Sequence, residues 1–110
     1  MIDWKRVTEL RDEVGEDDFN EIIDLFLEEV DEVIELLRGG DGLDELEEHM
    51  HFLKGSALNI GFSDFAKLCQ IGETLSAEGK IEDVDVDGVL TVYDASRSHF
   101  LAEAQQRLAA

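Results

Sequence analysis

Residues 51–61 read His51-Phe52-Leu53-Lys54-Gly55-Ser56-Ala57-Leu58-Asn59-Ile60-Gly61, and their spacing is that of the second half of a helix. Apolar residues recur every three or four positions, as on a buried helix face: Leu43, Leu46, Met50, Leu53, Ala57 and Ile60. Gly61 follows the last of them and can adopt the left-handed conformation that ends a helix. The stretch therefore predicts a helix from about Leu43 to Ile60 with one face in a protein core.

His51, Lys54 and Gly55 lie on one flank of that apolar face. With Met50 at zero and about 100° per residue, they fall at about +100°, +40° and +140°, and the apolar row spans roughly −80° to +20°. The imidazole is thus predicted at the edge of the core, with Lys54 one turn away. Gly55 costs a helix about 1 kcal/mol relative to alanine, and a larger side chain there would lean over His51. Close helix packing is the alternative reason for this glycine.

An exposed imidazole with a nearby cation and a cleared approach suits a histidine that carries a phosphoryl group covalently. Neutral imidazole is a good nucleophile near neutral pH, since its usual pKa is about 6.5. Lys54 would offset the charge of the phosphoryl group. The residues therefore indicate a nucleophilic site centred on His51.

The rest of the chain has the periodicity of four further helices. Asp3, Asp18, Ser63 and Asp85 are expected to cap helices, Asp18 in a capping box with Glu21. With the glycines and apolar stripes, these caps predict helices over Asp3–Val14, Asp18–Arg38, Ser63 to just before Gly79, and Asp85–Leu108. Gly72 lies on the inward row of the fourth helix and would let it approach its neighbour closely. The acidic residues of the second helix, Asp31 among them, are interpreted as a solvated face, and Trp4 as packing over the bundle end or as a partner contact. Short turns between long helices favour antiparallel neighbours. The predicted fold is all-α, an antiparallel up-down-up-down four-helix bundle with an additional N-terminal helix, in a single domain of residues 1–110.

Composition narrows the range of functions. The 110 residues include 28 acidic and 9 basic side chains, giving a formal charge of −19, which argues against nucleic acid and anionic membrane surfaces as partners. Cys69 is the only cysteine and fits a reducing cytoplasm, and no signal peptide or membrane span is evident. The glycine-rich turn of residues 39–42 lacks the Gly-Lys-Ser/Thr ending of a phosphate-binding loop, so no ATP site is predicted. We expect a cytoplasmic monomer, and the ends at Met1 and Ala110 favour a freestanding protein over a segment of a kinase.

The pattern His51-x-x-Lys54-Gly55, with Gly61 ending the helix, resembles the signature of histidine phosphotransfer (HPt) domains, and the resemblance extends over essentially the whole chain. It implies a phosphorelay carrier of two-component signalling, in which the histidine accepts a phosphoryl group from a receiver-domain aspartate and passes it to another receiver. Such a carrier is not an enzyme by itself. Its partners would be response-regulator receiver domains, a sensor histidine kinase, or both; Mg²⁺ would belong to the receiver, and this chain would bind no cofactor.

The resemblance also suggests roles for residues around His51. Attack through Nε2 requires a partner for the other ring nitrogen, and similar domains often use a Gln or Glu of the next helix. Glu73 matches that place, with Gln70 as the second choice. Phe52, Leu58 and Asn59 are expected in the docking surface, although Phe52 could instead pack under the first helix.

Three alternatives compete with this interpretation. Glu48-x-x-His51 has the spacing of di-iron bundles, but the chain lacks the second such motif. Asp83-x-Asp85-x-Asp87-Gly88, with Asp94 at the twelfth place, resembles a calcium-binding EF-hand loop but lacks its final glutamate. A helical-bundle binding module without phosphotransfer is the third.

Overall fold

The structure, a computed structural model, describes residues 1–108 apart from the side chains at positions 105 and 108. Five α-helices are described, in the order α1 (Trp4–Val14), α2 (Glu16–Arg38), α3 (Leu46–Ile60), α4 (Ser63–Ala77) and α5 (Val86–Leu108). Short 3₁₀ turns at Leu43–Glu45 and Ile81–Asp83 precede α3 and α5. None of the helices within residues 1–108 is long and apolar enough to cross a lipid bilayer.

The last four helices form a ring in which α2 packs against α3, α3 against α4, α4 against α5, and α5 against α2. The helices α3 and α4 are antiparallel, since Lys54 contacts Gln70 while the earlier Met50 lies beside the later Gly72. The position that a Cβ atom would take at Gly72 is 3.0 Å from Met50 Sδ, so this glycine permits the close approach of α4 to α3. The helix α1 packs against α2 and α3. The predicted all-α bundle with an additional N-terminal helix is confirmed.

The core follows the apolar stripes of the sequence, with one exception at the start of the predicted third helix. Met50, Leu53 and Ala57 have no exposed surface, but Leu43 is 43% exposed. It lies in the 3₁₀ turn, whose geometry does not continue the α-helical row, so placing Leu43 on the buried face was wrong.

Two predicted N-terminal caps were also wrong. The helix α2 begins at Glu16, before Asp18, so Asp18 lies in the first turn, where its negative charge is favourable, and forms no capping box. The helix α4 already includes Ser63, whose hydroxyl donates to the carbonyl of Met1 instead of capping the helix. The predicted caps Asp3 and Asp85 do accept from the backbone N–H groups of Arg6 and Gly88, at 3.2 and 2.9 Å.

The charge pattern suggested that Asp31 lies on a solvated face, but the structure places it at the contact between α2 and α5. It accepts hydrogen bonds from the hydroxyl of Tyr93 at 2.5 Å and from the guanidinium of Arg97 at 3.1 Å, which links α2 to α5. Burial, and then the neighbouring carboxylate of Asp31, raise the pKa of Tyr93 above its usual value. Sequence periodicity cannot reveal this contact, because its members lie on helices that are distant in the chain.

The turn between α3 and α4 is tied to the N-terminus. Asp3 N donates to the carbonyl of Gly61 at 2.7 Å, and Ile2 forms an isolated bridge with Phe62. Gly61 has a φ of +80°, and a Cβ atom there would lie 2.7 Å from the carbonyl oxygen of Asp3. Both the left-handed backbone and the close approach therefore require glycine.

We predict that Gly61→Ala lowers the free energy of unfolding by about 2–4 kcal/mol, combining left-handed strain with a backbone clash. Gly79→Ala is the matched control, since Gly79 has a φ of +76° but open space around its Cβ position. It should lose only about 1–2 kcal/mol. Urea unfolding followed by circular dichroism measures both, and equal losses would show that the contact with Asp3 contributes nothing.

Candidate functional site

His51 projects from α3 with its side chain 70% exposed, although the neighbouring Met50 and Leu53 are buried. Its Nδ1 lies 2.9 Å from Oε2 of Glu73 on α4. An ionised carboxylate only accepts hydrogen bonds, so the ring proton is assigned to Nδ1. No described residue forms a hydrogen bond with Nε2, so this nitrogen presents its lone pair to solvent.

The pairing of His51 with Glu73 follows from the connection of the two helices. Gly61 and Phe62 join α3 to α4, and the separation of 22 residues places His51 and Glu73 at matching distances from that turn. Antiparallel helices bring such positions side by side. The local sequence therefore aligns the imidazole and the carboxylate without a long loop.

The other carboxylate oxygen of Glu73 faces Lys54. Oε1 is shielded from solvent and lies 2.6 Å from Lys54 Nζ. The ammonium of Lys54, and with a smaller effect the imidazole of His51, hold the pKa of Glu73 below its usual value, against the opposing effect of burial. Glu73 is therefore ionised at neutral pH and bridges the two residues of the motif.

Gln70 lies one turn before Glu73 but does not reach the imidazole. Its Oε1 accepts from Lys54 Nζ at 3.1 Å, and its Nε2 donates to Oγ1 of Thr74 at 3.1 Å. Of the two predicted partners for Nδ1, the structure thus brings Glu73 to the ring and Gln70 to the lysine. Sequence reasoning overlooked Thr74, although its spacing of four residues from Gln70 is a signal of contact on a helix.

Gly55 is exposed, and its hypothetical Cβ position has no atom within 4 Å beyond its own helix and chain neighbours. Packing against a neighbouring helix therefore does not account for this glycine, in contrast to Gly72. The surface over this part of α3 is bare, which leaves room for a large molecule beside His51.

Exposed apolar groups flank His51 on α3. Phe52 is 37% exposed and Leu58 is 58% exposed, so neither side chain is fully buried by a neighbouring helix. Asn59 is exposed as well, and its backbone carbonyl accepts a hydrogen bond from Nε of Arg6 on α1 at 3.1 Å. The three predicted docking residues therefore share the solvent side of α3 with His51 and Gly55.

The metal-site alternatives find no matching geometry. Within residues 1–108, no group of three or more His, Cys, Asp or Glu side chains is arranged to hold a metal ion. Asp85 caps α5, and Asp94, the twelfth residue of the calcium-loop pattern, binds Arg38 at 3.0 Å. The thiol of Cys69 is fully buried, and burial raises its pKa to about 12, so it behaves as a core residue.

The chain is similar to a known protein family and to a phosphorelay protein. The family model of the Hpt domain matches residues 21–110. Phosphorelay protein LuxU of Vibrio harveyi is 27% identical over 107 residues, which cover 94% of this chain and 91% of that protein. No solved structure matches the chain. The match to the family model covers most of the sequence, and the chain therefore belongs to the Hpt domain family of phosphorelay carriers in two-component signalling.

Proposed function

We propose that His51 is the residue on which this phosphorelay carrier holds its phosphoryl group, and that Nε2 forms the bond to phosphorus. The supporting observation is that the His51 side chain is 70% exposed, while its Nδ1 contacts Glu73 at 2.9 Å. It directs one ring nitrogen inward as a donor and the other outward as a nucleophile. The two remaining histidines differ from it, since His49 is half-buried and His99 turns Nε2, not Nδ1, to the carboxylate of Glu103 on its own helix.

In the proposed reaction, the Nε2 lone pair attacks the phosphorus of an aspartyl phosphate on a receiver domain. The N–P bond forms as the P–O bond to the aspartate breaks, and the electron pair of that bond returns to the aspartate carboxylate. The proton on Nδ1 stays in place, so the phosphorylated ring carries a formal positive charge. The carboxylate of Glu73 is already positioned to balance that charge, which is the kind of preorganised stabilisation that lowers a barrier. Transfer to a second receiver is the reverse of these steps.

The partners that fit this chemistry are response-regulator receiver domains, a sensor histidine kinase, or both. The exposed Phe52, Leu58 and Asn59 would contact them, since apolar surface around a reactive group favours a protein interface. The chain would act as a covalent carrier with no cofactor of its own, transferring only together with a partner that brings Mg²⁺. We propose a cytoplasmic monomer that binds neither nucleic acid nor membranes, in keeping with its charge of −19.

The test is to incubate the chain with receiver domains that carry ³²P on their aspartates. We expect label to move to this chain as phosphate that is acid-labile and base-stable, the behaviour of phosphohistidine. Unlabelled receivers added afterwards should remove it. A chain that bound receivers without acquiring label would instead be a binding module, and label that resisted acid would place the phosphoryl group on another residue type.

A further inference from the structure

We propose that Lys54, Gln70 and Thr74 are positioning residues that act through Glu73 to keep the proton of His51 on Nδ1. Part of this inference rests on the proposed function, because it assigns the attack to Nε2. The sequence suggested that Lys54 offsets the charge of the phosphoryl group directly, and this proposal gives the lysine a different role. The four polar side chains Lys54, Gln70, Glu73 and Thr74 form a continuous series of contacts that ends at the imidazole.

Lys54 is held by acceptors on α4. Its ammonium lies 2.6 Å from Oε1 of Glu73 and 3.1 Å from Oε1 of Gln70, and its side chain is only 21% exposed. An ammonium has three N–H donors, so two of them are directed toward α4. This lysine therefore interacts with the partner of His51 before any phosphoryl group arrives.

Glu73 depends on that lysine for both its charge and its orientation. Its side chain is 19% exposed, and Oε1 is shielded from solvent. A shielded carboxylate oxygen without its cation would rotate toward water or bind a proton, since an uncompensated buried charge is costly. Either change would remove the acceptor that now faces Nδ1 of His51.

Gln70 and Thr74 fix the position of the lysine. An ammonium cannot accept a hydrogen bond, so the amide of Gln70 must turn its oxygen to Lys54 and its NH₂ group to Thr74. The hydroxyl of Thr74 accepts from that NH₂ group and selects this amide orientation. The i, i+4 spacing of the two residues on α4 makes the contact possible.

The tautomer of His51 decides whether the outward nitrogen can attack. With the proton on Nδ1, Nε2 has a free lone pair and faces solvent. With the proton on Nε2, the form that an unconstrained histidine favours in water, the outward nitrogen is no nucleophile. Which form is present is set by the hydrogen bond of the other nitrogen.

Nuclear magnetic resonance of the imidazole nitrogens in ¹⁵N-labelled, unphosphorylated protein measures the tautomer without any partner. In spectra recorded at about pH 8, the wild type should show the proton on Nδ1. Lys54→Met should shift His51 toward the Nε2–H form and slow phosphoryl acceptance by roughly tenfold. Lys54→Arg keeps the charge, so it should restore much of the Nδ1–H tautomer and of the rate of phosphoryl acceptance. The control is Lys67→Met, which removes an exposed lysine of α4 and should change neither.

Thr74 provides a finer test. Thr74→Val should produce a smaller change of the tautomer and a loss of acceptance of about two- to threefold, whereas Thr74→Ser retains the hydroxyl and should behave as wild type. Gln70→Leu should change the tautomer and the acceptance rate at least as much as Thr74→Val does. These variants change exposed residues, so the fold itself should be unaffected.

The outcomes separate this inference from the proposed function. If Lys54→Met slows transfer but leaves the proton on Nδ1, the lysine acts directly on the phosphoryl group and the inference is overturned. An unchanged tautomer with unchanged transfer overturns it as well. If the tautomer shifts as expected but the wild type accepts no phosphoryl group, the positioning role is supported and His51 is not the carrier.

Discussion

His51→Gln is expected to abolish phosphoryl acceptance from labelled receivers while the protein stays folded. The substitution removes the nitrogen that the proposed reaction uses as its nucleophile. The His51 side chain is 70% exposed, so helix content and thermal stability should change little. Circular dichroism melting and transfer assays on the same preparations measure both properties.

His49→Gln and His99→Gln are the matched controls for this experiment. His49 is half-buried next to the turn that contains Gly42, and His99 pairs with Glu103 and lies against Trp4, with the ring centroids 6.4 Å apart. Both variants should accept the phosphoryl group at the wild-type rate. Label on the His51 variant together with its loss from the His99 variant would show that the assignment is wrong.

The geometry around His51 was predictable because it depends on short-range patterns. The apolar row from Leu46 to Ile60 fixes which side of α3 is buried, and Gly61 fixes where the helix ends. The pairing of His51 with Glu73 was instead expected from the resemblance to HPt domains, which left Gln70 as the second choice, and the short turn between α3 and α4 brings Glu73 to the ring. The sequence also predicted the close approach at Gly72 and the capping role of Asp3, since both are local consequences of residue size or side-chain chemistry.

Features that depend on contacts between distant segments were not predictable. Asp31 has the sequence context of a solvated acid, yet Tyr93 and Arg97 approach it from α5. Ser63 has the residue type of a helix cap, yet the N-terminal segment binds its hydroxyl. In both cases the local propensity was overridden by a partner that periodicity cannot reveal.

The orientation of Lys54 also could not be predicted from the sequence. A wheel places this lysine within reach of His51, which suggested a direct contact with a phosphoryl group. The wheel contains no information on the neighbouring helix, where Glu73 and Gln70 offer two acceptors. A carboxylate at position 73 and an amide at position 70 thus turn the cation toward α4, which is the basis of the positioning role that we propose.

Gly55→Gln should separate stability from transfer. The open space around the Cβ position of Gly55 means that a side chain there meets no neighbouring helix. Glutamine and alanine are better helix formers than glycine by roughly 0.5–1 kcal/mol, so both variants should be at least as stable as wild type. The thermal midpoint should stay within a few degrees or rise, because about 1 kcal/mol corresponds to a few degrees in a domain of this size.

Transfer should respond differently to the two side chains. A helical side chain leans over the preceding turn, so glutamine at position 55 would extend toward His51 and obstruct the receiver's aspartate. We expect acceptance to fall by at least about tenfold, roughly 1.4 kcal/mol in barrier, for Gly55→Gln and by much less for Gly55→Ala. Ala95→Gln adds the same side chain to an exposed position of α5 and should leave transfer unchanged. A stable Gly55→Gln variant with normal transfer would show that this glycine does not clear the approach to His51, and an unstable one would show that the glycine serves helix packing.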